Sequence, residues 1–259
     1  MPKLGKMRLY LKEVWKHLSL KIEGIVFDLF HTLVDPEDFR PTDFKRTEKI
    51  ADLFKLDKED FTKFWESNYR ARYTSDSKKV VDYVEEYVTK TLGKPPSKQD
   101  LMLAELILGR YQDLAIEKPR PMVRGVLSSL RARGIKLGLL SNADEREARS
   151  WKGSSLATLF DSVCFSFEIG YMKPSKEAYS IALDRLGVLA QSCVYVGDGG
   201  EGELNGAKEA GFGVTVFMKG FVSRNGLRSF EELKAFALAS DYTIDSLADL
   251  LLLVSKIED

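Results

Sequence analysis

The sequence predicts a doubly wound α/β fold: a parallel sheet covered by helices on both faces, with a smaller four-helix insert after the first strand. Three observations predict it. Short, near-continuous apolar runs (GIVF at 24–27, IKLGLL at 135–140, SVCF at 162–165, CVYV at 193–196, GVTVF at 213–217) alternate with helical patterns. Strands buried on both faces read this way, and alternation with helices implies parallel pairing. Residues 36–120 lack such runs and show helical periodicity instead. A chain of 259 residues is long enough for one α/β core with a large insert.

The elements follow in order. Residues 1–20 form an amphipathic pattern with Met7, Leu11, Val14, Trp15 and Leu18 on one face. Lys and Arg interrupt it too often for the apolar stretch of a secretory signal. A helix here is expected to pack on the body or on a second copy of the chain, as in a homodimer. Residues 21–35 hold the first strand, GIVF, ending in Asp28. The insert, 36–120, divides into four helical patterns: Thr42 to Lys55, Lys58 to Tyr73, Lys78 to Leu92, and Ser97 to about Glu117. Ser97 and Asp100 have the spacing of a capping box, and Gly93 to Pro96 break the chain between the last two. Four helices with short connections suit a small bundle. Of its aromatics Phe61, Phe64, Trp65, Tyr69 and Tyr73, most are expected in its core, with one or two facing a ligand.

The core resumes over 121–259. Pro121 suits the first turn of a helix and Gly134 its end. Strands IKLGLL and SVCF follow, then a helix from about Ser175 to Leu186, CVYV, a helix from Glu203 to Ala210, GVTVF, YTI, and a closing helix from Ser246 to Val254.

Composition excludes several functions. Lys plus Arg number 39 and Asp plus Glu also number 39, so no bulk positive field draws the chain to nucleic acid or an anionic membrane. No window approaches the ~18 consecutive apolar residues of a membrane span. Cys164 and Cys193 sit in apolar runs and read as buried, reduced thiols, which points to the cytoplasm. With His17 and His31 the only histidines, a histidine-rich metal site is excluded.

Open parallel sheets bind ligands at the carboxyl ends of their strands. Asp28 ends the first strand, Ser141 and Asn142 end the second, and Asp198 follows CVYVG, with Glu201 and Glu203 beyond. Lys173 precedes a core helix. Asp28, Asp198 and Glu203 together would repel one another. A hard divalent cation resolves that, and an all-oxygen set suits magnesium. The adjacent lysine implies an anionic partner such as a phosphate.

These segments resemble the motifs of the haloacid dehalogenase-like hydrolase superfamily. D-L-F-H-T-L at 28–33 resembles its first motif, L-L-S-N at 139–142 its second, K-P at 173–174 its third and V-G-D-G-G-E-G-E at 196–203 its fourth. The resemblance implies a Rossmann-like core, a helical cap over 36–120, and a magnesium-dependent phosphatase acting on a small phosphorylated metabolite. It implies that Asp28 is the nucleophile and that Thr32 and Ser141 hold phosphate oxygens with Asn142 nearby. Lys173 then neutralises charge, and Asp28, the Phe30 carbonyl, Asp198 and, through a water, Glu203 hold the metal.

Phe30 departs from the family, whose phosphatases carry an aspartate there as general acid. Losing that help typically costs ~10²–10⁴-fold in rate. A substrate with a good leaving group, a 2-haloacid dehalogenase, or a non-catalytic metabolite-binding protein all accommodate it. The fourth motif, with its following acid, favours the magnesium form. His31 and Arg40 read as a structural hinge residue and a solvated charge, and Glu201 as a solvated helix-start residue. Gly197, Gly199 and Gly202 match a dinucleotide fingerprint, but the next strand ends in Met218-Lys219 and not in an acid for ribose, so no dinucleotide cofactor is expected.

Overall fold

The computed structural model describes residues 21–258. The expected N-terminal amphipathic helix lies outside them. Six parallel strands form one sheet in the order β3-β2-β1-β4-β5-β6. They are β1 Gly24–Phe27, β2 Lys136–Ser141, β3 Ser162–Phe165, β4 Cys193–Gly197, β5 Val214–Met218 and β6 Tyr242–Ile244. The first five coincide with the apolar runs read from the sequence, and β6 with the short YTI segment.

Alternation along each strand divides its side chains between two layers. Ile25 and Phe27 of β1, with Val194 and Val196 of β4, join the cluster under helices Pro121–Ala132 and Asp249–Glu258. Val26, Cys193 and Tyr195 join the opposite cluster, under Lys176–Leu186, Glu203–Glu209 and Phe230–Ala239. Both cysteines are buried and unpaired, as read. Gly134 ends its helix at φ +80°, a left-handed position that spares a side chain its steric penalty.

The segment between β1 and Pro121 is helical and has its own apolar cluster, in which Ile50, Phe61, Trp65, Val84 and Leu108 meet. Its helices are Arg46–Phe54, Lys58–Ser67, Tyr69–Tyr73, Val80–Leu92 and Lys98–Glu117. The second expected helix is broken in two. Asn68 Nδ2 and Ser67 Oγ both donate to the Phe64 carbonyl, at 2.9 and 2.8 Å, competing with the helical ladder. Ser97 accepts from the Asp100 N–H at 3.1 Å, as its spacing foretold. Where the chain enters and leaves this segment, Arg120 pairs with Asp38, at 2.9 Å to Oδ1 and 2.7 Å to Oδ2.

Besides the single-turn helices Glu145–Ala148 and Ser166–Ile169, two helices escape the sequence reading: Gly220–Arg224 and Phe230–Ala239. The second starts with a capping box in which Ser229 and Glu232 bond reciprocally, a readable signal. The closing helix runs three residues later at its start than expected, Asp249–Glu258. Among the described residues no helix is long and apolar enough to cross a membrane.

Candidate active site

Strand register assembles the site. Phe27 pairs with Leu139 of β2 and Val196 of β4, so Asp28, one residue on, and Ser141 and Asp198, two residues on, emerge together at the carboxyl edge. One carboxylate oxygen each from Asp28, Asp198 and Glu203 lie within 4.8 Å of one another, and all three residues are buried. Lys173 reaches into this cluster. Its Nζ donates to Asp28 Oδ1 and to Glu203 Oε2, both at 2.6 Å, and to the Tyr195 hydroxyl at 3.1 Å.

Every bond of Glu203 holds it in place. Oε2 also accepts from Tyr195 OH at 2.5 Å, and Oε1 accepts from the Gly199 N–H at 2.9 Å. Asp198 Oδ1 accepts from the Gly200 N–H at 3.0 Å, leaving Oδ2 with only Arg228, 3.9 Å away. Asp28 Oδ2 likewise has no bond among the described residues. The charge is under-compensated. Burial, then the Glu203 and Asp28 charges, push Asp198 up to about 7. Burial pushes Asp28 up to about 6, against the pull of Lys173. For Lys173, burial lowers the pKa, but the Asp28 and Glu203 carboxylates outweigh it and hold it above the usual lysine range. Three buried carboxylates with one ammonium, and oxygen atoms free on two of them, form a donor set that fits a hard dication.

The remaining expected residues divide into two groups. Thr32 and Ser141 are fully buried, and the hydroxyl of each lacks a hydrogen-bond partner among the described residues. Buried hydroxyls are rarely left so unless a ligand or water completes them. Asn142, expected near a phosphate, instead clamps Lys173: its Oδ1 accepts from the Lys173 N–H at 2.8 Å and its Nδ2 donates to the Lys173 carbonyl at 2.9 Å. Asn142 also donates to Glu201, which in turn accepts from Tyr69 OH. Glu201 is exposed, as expected, but it is not idle. It adopts a left-handed φ of 52°, unusual for a side-chain-bearing residue, and bridges the sheet edge to the helical segment. His31 has φ 60°, and its Nδ1 sits 3.3 Å from Asp35 Oδ1.

A cavity of about 320 Å³ opens above Asp28, lined also by Phe30, His31 and Lys173. Of the five aromatics singled out, Tyr69 and Tyr73 face it, joined by Tyr111; Phe61 and Trp65 are core. Arg40 lines it too, but pairs with Glu37 at 2.9 Å and lies over the Tyr111 ring.

The far wall was not found from the sequence. Glu147 is its hub, accepting from Arg46 Nη1 at 3.1 Å, Tyr73 OH at 2.6 Å and Gln112 Nε2 at 3.4 Å. Arg46 Nη2 also donates to Tyr111 OH at 2.9 Å. The one signal available was Gln112-Asp113, polar residues among the apolar positions of Lys98–Glu117.

A family model for haloacid dehalogenase-like hydrolases matches residues 22–211. The chain belongs to the haloacid dehalogenase-like hydrolases. Among curated relatives, glyceraldehyde 3-phosphate phosphatase of Methanocaldococcus jannaschii is 27% identical over 244 residues, 92% of this chain and 99% of that one. (S)-2-haloacid dehalogenase 2 of a Pseudomonas species is 26% identical, over 82% of this chain and 88% of that one. A HAD phosphatase from Thermococcus onnurineus superposes with a TM-score of 0.59 at 22% identity, covering 90% of this chain and 98% of its own. An L-2-haloacid dehalogenase from Xanthobacter autotrophicus gives 0.55 at 21%, over 90% and 98%. Haloacid dehalogenase-like hydrolases thus include, close to this chain, both a phosphatase and a dehalogenase with the same fold.

Proposed function

We propose that this hydrolase is a magnesium-dependent phosphatase that dephosphorylates a small phosphorylated metabolite through an aspartyl-phosphate on Asp28. The buried trio of Asp28, Asp198 and Glu203 around Lys173 carries the reading. The phosphatase relative, matched over nearly its whole length, supports it. Asp28 and Asp198 would hold the cation with the Phe30 carbonyl, and Glu203 would add its charge nearby. When bound, the cation supplies charge neutralisation and orients a phosphate oxygen.

The chain's own residues supply the remainder. Asp28 Oδ2 attacks phosphorus, forming a P–O bond as the bond to the leaving oxygen breaks. Lys173, held in place by Glu203 and by Asn142, offsets the charge that builds on the phosphoryl oxygens. Thr32 and Ser141 hydroxyls take those oxygens. Water then attacks phosphorus, releasing phosphate and restoring the Asp28 carboxylate. Phe30 moves no proton, so an alkoxide leaving group must draw its proton from water, and esters that depart as stable anions should turn over faster. The helical segment acts as the cap, excluding bulk water. Reduced cysteines suit a cytoplasmic setting.

Phe30 also favours a second reading, a 2-haloacid dehalogenase in which Asp28 attacks carbon and halide leaves unprotonated. One panel separates the two: an aryl phosphate, acetyl phosphate, an alkyl phosphate and a 2-haloacid, each with and without magnesium. Magnesium-dependent phosphate release, abolished in Asp28→Asn, is the expected result. Halide release without metal would overturn it.

A further inference from the structure

The wall of the cavity opposite Asp28 contains a polar group that the chemistry above does not use. Gln112 lines the cavity and is only 5% exposed, yet its Oε1 has no hydrogen-bond partner among the described residues. Its orientation is dictated by its neighbour. The amide NH₂ faces Glu147 Oε1 at 3.4 Å, and a flipped amide would set two acceptors against each other. The free end is therefore an acceptor, and a buried acceptor calls for a donor.

Charge decides what kind of donor. The cations on this wall are already matched, Arg46 by Glu147 at 3.1 Å and Arg40 by Glu37 at 2.9 Å. The whole lining carries five carboxylates against four lysine and arginine side chains. Adding a dication and a phosphate dianion leaves no surplus positive charge for a second anion. The cavity, about 320 Å³, is at the small end of ligand sites.

Building on the phosphatase reading, we propose that Gln112 accepts a hydrogen bond from a substrate hydroxyl. The substrate is then the monophosphate of a short, uncharged hydroxylated chain, a polyol or hydroxy-aldehyde, and not a phosphorylated carboxylic acid. Arg46 and Glu147 are positioning residues for this subsite: Glu147 holds the amide, and Arg46 holds Glu147.

Glycerol 3-phosphate, propyl phosphate and phosphoglycolate test it. The first two share a primary alkoxide leaving group and differ in hydroxyls; the third has an anionic tail. Wild type is expected to show at least tenfold higher kcat/KM for glycerol 3-phosphate than for either competitor, and Gln112→Leu to shrink the gap over propyl phosphate to about twofold. Calorimetric binding of the three to Asp28→Asn should follow the same order. Equal use of glycerol and propyl phosphates, or preference for phosphoglycolate, overturns the subsite while aryl phosphate turnover still upholds the phosphatase. Preferential binding of glycerol 3-phosphate with no turnover of any phosphate upholds the subsite and sinks the phosphatase. The wild-type comparison stands whether or not the leucine variant folds.

Discussion

Arg146 donates two parallel hydrogen bonds to Asp113, each 2.9 Å long, and both side chains are almost wholly buried. The pair joins the loop after β2 to the long helix Lys98–Glu117, so the sheet edge and the helical segment share a buried ion pair. Replacing Arg146 by Ala leaves Asp113 charged and under-partnered, with only Arg149 and Ser150 nearby. A loss of about 3–5 kcal/mol in urea unfolding is expected. The double change Arg146→Met with Asp113→Leu should recover most of that loss, because no buried charge is then stranded.

Gly109 makes this pair possible. A Cβ there would lie 2.7 Å from Arg146 Nη1 and 2.8 Å from its Cζ. The guanidinium is pinned by Asp113 and by the Glu105 carbonyl, so it cannot step aside cheaply. Gly109→Ala should therefore destabilise by about 1–3 kcal/mol despite alanine's better helix propensity. A stabilised variant in thermal unfolding would show the contact to be softer than its geometry.

Asp144 predicts a pH dependence. Burial and the adjacent Glu147 push its carboxyl up to about 7, while an unfolded aspartate titrates near ~3.9. Folding thus raises its proton affinity. Its stabilising share is fully present below the unfolded pKa and is lost as pH rises toward the folded one, between about 4 and 7. The slope is at most about 1.4 kcal/mol per pH unit. Asp144→Asn keeps an acceptor for the Glu147 N–H, now 3.0 Å away, and should flatten the pH profile of urea stability across that window.

Lys173→Met removes the ammonium between Asp28 and Glu203. Phosphatase turnover should fall by about 10²–10³-fold or more, as when a preorganised charge donor is lost. Stability at neutral pH should drop by about 3–5 kcal/mol, since two buried carboxylates lose their counter-charge. A variant with full activity would remove Lys173 from the chemistry.

Tyr69→Phe probes the bridge through Glu201 to Asn142. Losing one hydrogen bond across the cavity mouth is worth about 1 kcal/mol. KM for a phosphate ester should rise roughly three- to tenfold with little change in global stability, because the closed arrangement is less favoured. Steady-state kinetics beside thermal unfolding separate these effects.

Much of the fold was legible because strands buried on both faces leave unbroken apolar runs. Asp28, Ser141 and Asp198 were legible because strand ends mark where ligands meet a parallel sheet. Gln112, Glu147 and Arg46 were not. In a linear sequence a glutamine or glutamate on a helix reads as solvated, and only the approach of Lys98–Glu117 to the loop after β2 buries it. The break at Asn68 was missed for a related reason: helical periodicity runs through it, while the competing side-chain bonds to Phe64 leave no mark on that pattern. Glu201 is exposed, as read, but its bridging role was missed because its reach to Tyr69 depends on a backbone turn that composition does not encode.

The Arg120–Asp38 pair, at the neck where the helical segment joins the sheet, has an evolutionary consequence. A domain tethered through one clasped doorway, with its own apolar centre, behaves as a cassette: it can be lengthened, reshaped or exchanged without touching the strands that carry Asp28 and Asp198. Lineages sharing one reaction centre can then diversify in what they admit to it by rewriting the cassette alone. The contacts that cross to the core, Arg146–Asp113, the bonds to Glu147 and the Tyr69–Glu201 bridge among them, would need to be renegotiated each time.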